Sequence, residues 1–501
     1  ATIRLPNATS GRELGIDYVF NGDVKNFSSS QPIQDRKIDD GQLSFSASQD
    51  GYHIAGTANI DGMAANVEIA GTPTTAPTFR LGSTVQAKDL AAMGFDASEF
   101  LTGQVRFVAE PQADGSIRMV VDLKDAGLTI KDIGIAKPAG VAGTLQATIH
   151  QKDKLTELSD IDLAFGTVHL AGELKFDADK GLQSAEFSQF GLSDGDSAQL
   201  KLTPIDDGYA VDLSGTQLDF KPMLRRFFGL GEGAGGVQAT QFKQTLALSV
   251  HLDRALGYYA TTAFNVALDM TLHGTDMRRA NMTAQFGGNN ALSVTTNPAP
   301  DGRTLTVAFS DAGTILRLLG VYSQLAGGEG SLVMTTNKGQ KAEVGQLQLR
   351  NFSIVDEANV AQILGNHADS RSVIAKENRL DFNAGVVTFV RRSDRVEVTD
   401  AVMSAASVGG TLRGFIYTDQ RQYDLTGTYV PLFGLNSVFQ KIPLFGPLLG
   451  GRDGEGLFGV TFAVKGALDK PEFKINPLSA LVPGAFRELF EFRAKEQPRV
   501  E

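Results

Sequence analysis

Apolar and polar residues alternate along this chain with a period of two, and no other feature constrains the fold as much. Leu246, Leu248, Val250 and Leu252 alternate with Thr245, Ala247, Ser249 and His251. Phe264, Val266, Leu268, Met270 and Leu272 alternate with Asn265, Ala267, Asp269, Thr271 and His273. The rhythm returns at Met119–Leu123, Ile161–Phe165, Leu305–Phe309 and Phe462–Val464. Successive side chains of a strand point to opposite faces, so each run has one apolar and one polar face, as in an antiparallel sheet wetted on one side. Gln49-Asp50-Gly51, Ala113-Asp114-Gly115, Asp206-Asp207-Gly208 and Pro300-Asp301-Gly302 place turn signals between runs at hairpin spacing. The sequence therefore predicts a mainly β protein built from consecutive hairpins.

Short helical signals interrupt this pattern in one recurring context. They are Lys88–Gly94, Leu218-Asp219-Phe220 through Gly229, and Ser310-Asp311-Ala312 through Gly320. In each, an Asp stands where a helix N-cap would accept backbone N–H bonds and a Gly stands where the helix would stop. Gly-rich returns follow at Gly229–Gly236, Gly327–Gly330 and Gly450–Gly456, an irregular internal repeat.

An amphipathic sheet of this extent must cover its apolar face. It can pack on a second sheet, close into a barrel, or curl into a trough around a ligand. With no Trp and 9 Tyr against 31 Phe, the girdles of an outer-membrane barrel are missing. Periodicity alone does not choose among the three. At 501 residues the chain exceeds the size of one compact core, so an elongated or multi-part body is expected. The absence of Cys excludes disulfides and thiol chemistry, and suits a periplasmic protein as well as a cytosolic one. A net charge of −11 with dispersed acidic residues argues against a nucleic-acid partner. No uncharged apolar stretch is long enough to span a bilayer as a helix.

Catalytic and metal-binding chemistry finds no foothold. The six His residues are scattered, and His251 and His273 fall on polar strand positions. The cluster Gly229, Gly231, Gly233, Gly235 and Gly236 follows a helix instead of opening one and lacks a subsequent Lys-Ser/Thr, so it reads as a flexible return. Asp194-Gly195-Asp196-Ser197 lacks the further acidic ligands of a Ca²⁺ loop and reads as a turn. The expectation is a protein that is not an enzyme and takes no cofactor or metal.

The C-terminal region is unusual. Val430–Leu449 is broken by Pro431, Gly434, Pro443, Gly446 and Pro447, which forbid one continuous helix. It nevertheless carries Leu432, Phe433, Phe439, Leu444, Phe445 and Leu448, more apolar side chains than a loop leaves in water. It is either a plug over the end of the sheet or an element that touches a membrane or gates a groove. Asn476-Pro477 then opens a short turn, and Phe486, Leu489, Phe490 and Arg493 form an amphipathic helical stripe. That stripe packs on the protein's own sheet or docks at a membrane interface.

Several phrases here carry a resemblance. They are Gly427-Thr428-Tyr429-Val430-Pro431, Leu435-Asn436-Ser437, Ile442-Pro443-Leu444-Phe445-Gly446, Gly454-Glu455-Gly456 and Asn476-Pro477-Leu478-Ser479-Ala480-Leu481. Together they resemble the C-terminal signature of the AsmA-like family, the YhdP-type branch with its alphaproteobacterial members, related to TamB and the bridge-like lipid-transfer proteins. The second and third helical units also look like repeats of that family, and the likeness weakens toward residues 1–210.

The resemblance implies a long twisted antiparallel sheet curled into a taco-like hydrophobic groove, with a few short helices and a C-terminal amphipathic helix. It implies that residues 1–423 are a groove body, 424–493 the signature region and 494–501 a disordered tail. Such a protein would be periplasmic and anchored in the inner membrane by an N-terminal helix outside this chain. It would carry phospholipids between inner and outer membrane, with a periplasmic or outer-membrane protein as a further partner. The alternative is a periplasmic scaffold for outer-membrane biogenesis. The groove floor is then expected at Met119, Val121, Ile161, Leu163, Leu248, Val250, Val266, Leu268, Met270, Val307 and Phe309. A membrane or gate element is expected at Leu432, Phe433, Phe439, Leu444, Phe445, Leu448, Phe486, Leu489 and Phe490.

Overall fold

The structure, a computed structural model, describes residues 18–29, 37–93, 97–130, 135–228, 242–274, 276–299, 301–337, 339, 342–356, 379–405, 408–418, 420–431, 459–467 and 472–476. The chain forms two compact units, Ala1–Leu218 and Asp219–Glu501.

Unit one holds fifteen described strands. They are β1 (Val19–Phe27), β2 (Ile38–Ser48), β3 (Gly51–Ile60), β4 (Met63–Thr72), β5 (Thr75–Gln86), β6 (Leu101–Pro111), β7 (Ile117–Asp122), β8 (Ala126–Ile130) and β9 (Ile135–Lys137). β10 (Gly143–Lys152), β11 (Leu155–Phe165), β12 (Val168–Asp177), β13 (Gly181–Gly191), β14 (Ser197–Ile205) and β15 (Gly208–Asp219) complete it. Consecutive strands pair antiparallel from β1 to β7 and from β10 to β15, and β10 pairs with β7. β8 and β9 leave the main ladder and pair beside the start of β6.

A buried lysine fastens this side branch. Lys137 is only 2% exposed. Its Nζ donates to the carbonyls of Leu123 and Ala126, the latter at 2.7 Å. Burial pushes its pKa down, while Asp122 and Asp125 act in the opposite direction.

Unit two holds thirteen. They are β16 (Phe242–Leu256), β17 (Thr262–Gly274), β18 (Asp276–Phe286), β19 (Asn290–Ala299), β20 (Gly302–Phe309), β21 (Leu325–Asn337) and β22 (Glu343–Val355). β23 (Arg379–Arg391), β24 (Arg395–Ser404), β25 (Val408–Tyr417), β26 (Gln422–Pro431), β27 (Val460–Ala467) and β28 (Glu472–Asn476) follow. These strands pair antiparallel in sequence order. β26 and β27, which flank much of the signature region, continue the same ladder as the strands before them.

The mainly β, hairpin-by-hairpin architecture is thus as the alternation predicts. The turns at Asp50-Gly51, Asp114-Gly115, Asp207-Gly208 and Asp301-Gly302 each join neighbouring strands. Asp114 accepts from Ser116 N–H and Oγ–H, which closes its turn. Among the described residues no pairing joins β1 to β15 or β16 to β28, so neither ladder closes on itself. Regular pairing of neighbours fixes the ladder but not its curvature, and the period-two pattern is the same for a flat and a curled sheet.

The helical units are short. α1 (Lys221–Phe228) follows Asp219, whose Oδ1 accepts Lys221 N–H at 2.9 Å. α2 (Ala312–Leu318) is capped by Asp311, whose carboxylate accepts Thr314 N–H and Oγ1–H. Gly320, at φ 68, stops it as expected. In the first unit the helix is a 3-10 turn (Ala87–Met93), and Asp89 lies inside it instead of capping it. The C-terminal helix and tail lie outside the described residues.

α2 sits across the strand ends of unit two. There Ala312, Leu325, Phe352, Leu380, Phe382, Ala405, Tyr429 and Val460 form a buried cluster. The rings of Phe352 and Phe382 stack at 5.0 Å between centroids. A second cluster joins Val398, Ala401, Leu425 and Val464.

Candidate functional site: two apolar files

Strand register turns the period-two pattern into a surface. In unit two, direct cross-strand partners run Val250, Leu268, Met282, Val294, Val307, Leu332, Leu347, Val387, Ala401, Leu412, Gly427, Phe462 and Ile475. One residue from each of β16 to β28 contributes, and none is polar. At about 4.8 Å between strands, the file runs roughly 55–60 Å across the sheet. On the other face the neighbours His251, Asp269, Thr283, Ser293, Gln346 and Gln348 are exposed.

Unit one repeats the arrangement independently. Val24, Leu43, Gly56, Val67, Leu81, Ala109, Met119 and Ala147 are successive partners across β1 to β7 and β10. After a register shift in β11, Ile161, Gly172, Phe187, Leu200 and Leu213 carry the file to β15. The polar face there is held in register by opposed charges: Lys175 lies 3.1 Å from Glu157 and Lys201 lies 3.3 Å from Glu186. The hydrogen bond to Glu157 raises the Lys175 pKa.

No family model, curated protein or solved structure matches the chain.

The eleven expected floor residues all belong to these apolar faces, but they do not form one uniform surface. Met119, Leu248, Leu268, Val307 and Phe309 are half-buried and present accessible apolar area. Val121, Ile161, Leu163, Val250, Val266 and Met270 are buried and pack beneath their neighbours. Val250 and Val266 lie on the half of the β16–β17 pair nearer its hairpin turn. The accessible stretch of the file therefore runs Leu268, Met282, Val294, Val307, Leu332, Leu347 and Val387, up to the buried Ala401. The expected gate residues Leu432, Phe433, Phe439, Leu444, Phe445, Leu448, Phe486, Leu489 and Phe490 lie outside the described residues.

One alternation breaks. The spacing groups Phe264 with Val266, yet Phe264 is 39% exposed while Ala263 and Val266 are buried. Asn265 adopts φ 49, and the register with β18 shifts between Phe264 and Ala267. This bulge moves Phe264 to the other face. Asp160, at φ 49, marks the corresponding shift in β11.

Other candidates resolve as structure. Asp196 accepts Leu192 N–H and Ser193 N–H at 2.9 and 2.8 Å, so Asp194–Ser197 is a turn stabilised by its own carboxylate. His251 is exposed, and His273 Nδ1 lies 3.2 Å from Thr245 Oγ1 on the paired strand. Among the described residues no three metal-ligating side chains converge, and no helix is long and apolar enough to cross a membrane.

Proposed function

We propose that this protein carries phospholipid acyl chains along the apolar face of its sheets, as part of a periplasmic path between inner and outer membrane. The observation that supports this most is the thirteen-strand file from Val250 to Ile475, without a polar side chain along its length. An acyl chain lying on it replaces water with apolar contact at every step. Each methylene removed from water contributes about 0.8 kcal/mol, so a continuous apolar path lowers the barrier to leaving a membrane. The path recognises no head group, which stays in water beside it. The mechanism is solvation of a hydrophobic cargo, with no bond made or broken. The periplasmic setting and the two membranes rest on the resemblance of the C-terminal signature to AsmA-like proteins.

The test is native mass spectrometry of the purified chain with lipid extraction alongside. Bound phospholipid that disappears on Leu268→Asp supports the reading. A folded, lipid-free wild-type chain sinks it. In that case the exposed edge residues Val19 and Phe20 on β1 would favour the scaffold reading, in which a sheet edge recruits another protein's strand.

A further inference from the structure

The apolar face carries a second regularity, which concerns its relief. Several glycines are direct cross-strand partners of an aromatic residue, and at four of them ring atoms lie within 3.0 Å of where a Cβ would stand: Gly22 with Phe45, Gly71 with Tyr52, Gly345 with Phe389, and Gly427 with Phe462. In each, ring atoms occupy the space over the glycine. A Cβ built on Gly22 would meet the Phe45 ring at 2.5 Å, one on Gly71 the Tyr52 ring at 2.8 Å, and one on Gly427 the Phe462 ring at 2.7 Å. On Gly345 the Phe389 ring is closer still. The four pairs divide equally between the two units.

Such a pair has a structural use, since the ring shields a backbone that lacks a side chain. It also has a geometric consequence. A phenyl ring standing upright on a sheet is the tallest apolar obstacle the face could present. Laid into the vacancy of a glycine, it becomes part of the floor. Phe389 remains half-buried and Phe45 and Tyr52 exposed, so these rings keep area open to an occupant, whereas Phe462 packs against both buried clusters of its unit.

We infer that the glycine–aromatic pairs level the path, and that Gly345 is a positioning residue that keeps Phe389 out of the way of a sliding acyl chain. The inference rests on the reading of this face as an acyl-chain path. The occupant is a saturated or singly unsaturated hydrocarbon chain, because the file offers no hydrogen-bonding side chain to anything more polar.

Gly345→Ala puts a methyl group where the far end of the Phe389 ring lies. The ring, a movable side-chain tip, has to rise off the floor while the backbone stays paired. The full chain is titrated with a pyrene-labelled phosphatidylglycerol, and bound copies are counted by native mass spectrometry beside a thermal melt. The wild type is expected to bind, Gly345→Ala to bind at least fivefold more weakly or to lose at least one bound copy, and Gly345→Ala/Phe389→Leu to recover. Gly22→Ala, alone and with Phe45→Leu, repeats the comparison should the first variant not fold, since a Cβ there meets only the Phe45 ring. Weaker melting with unchanged lipid binding would show that the pairs serve stability alone and would overturn the inference. Absence of binding by the wild type would instead remove the acyl-path reading itself, before any variant is compared.

Discussion

The backbone N–H of Tyr258 donates to the carbonyl of Leu318 at 3.0 Å, tying the β16–β17 hairpin to the end of α2. The same residue, 7% exposed, donates its phenolic O–H to the carbonyl of Lys221 at 3.3 Å. One hairpin thus meets both α-helices of its unit, and the close approach depends on the glycine before it. A Cβ on Gly257 would lie 2.5 Å from Leu318 O and 2.7 Å from its Cδ1. Gly257→Ala should therefore destabilise unit two by about 1–3 kcal/mol, the range for a local packing clash. Hydrogen exchange should accelerate at Leu319, Gly320 and Val321 and remain slow in β24 to β26. Unchanged protection around Gly320 would show that α2 holds without this contact.

Lys137 is the most completely buried charged side chain among the described residues, and its partners are backbone carbonyls. Lys137→Met keeps the length and apolar stem but leaves the carbonyls of Leu123 and Ala126 without their donor. A buried acceptor left unpaired costs about 1–3 kcal/mol. Urea denaturation should show a loss of that size, with β8 and β9 the first strands to lose exchange protection. A variant as stable as wild type would mean that desolvating the ammonium group cancels what its hydrogen bonds contribute.

Much of this architecture was legible in advance, and the reasons for the rest are physical. Alternation such as Leu246 to Leu252 encodes which face a residue takes, and Asp-Gly turns encode where hairpins close. Asp311 and Gly320 bracket a helix because capping and left-handed backbone are local requirements. Register is not local. Nothing in the sequence of β22 says that Leu347 lies between Leu332 and Val387, so the unbroken file emerges only when the ladder is assembled. Asn265 shows the opposite limit: one residue in a left-handed conformation moves Phe264 off the face its spacing assigned. The glycine–aromatic pairs join residues as distant as Gly345 and Phe389 and leave no signature in either strand. Lys137 is hidden for another reason, since a lone Lys in a polar stretch ordinarily reads as surface.

Ser353 Oγ–H donates to Asp381 Oδ1 at 2.5 Å, and Arg379 Nε lies 2.6 Å from the same oxygen. The serine hydrogen bond first, and the guanidinium second, hold the Asp381 carboxyl below its usual pKa. A carboxyl depressed in the folded state favours folding above its unfolded pKa, and that contribution is lost as pH falls through the folded value. Ser353→Ala should thus destabilise the protein more at pH 7 than at a pH below the folded pKa of Asp381, where the carboxyl is protonated in both proteins. Parallel denaturation curves at the two pH values read the difference directly. An equal loss at both would assign the effect of Ser353, itself 3% exposed, to packing alone.

Adjacent residues of one strand provide the sharpest separation of surface from path. Leu347 is half-buried in the apolar file between Leu332 and Val387, whereas Gln348 is exposed on the opposite face. An ionised carboxylate on the path must stay hydrated, and an acyl chain crossing it would have to strip that water or leave the sheet. Leu347→Asp should therefore abolish transfer of labelled phospholipid between donor and acceptor vesicles. Gln348→Asp, carrying the same charge 1 residue away on the wet face, should transfer like wild type and shift stability by no more than about 0.5 kcal/mol. Leu347→Ala controls for lost contact area: it removes apolar surface without adding charge, so it should slow transfer less than the aspartate does. Equal impairment by the two aspartates would point to a general charge effect on vesicle docking. Normal transfer by Leu347→Asp would place the lipid elsewhere on the molecule.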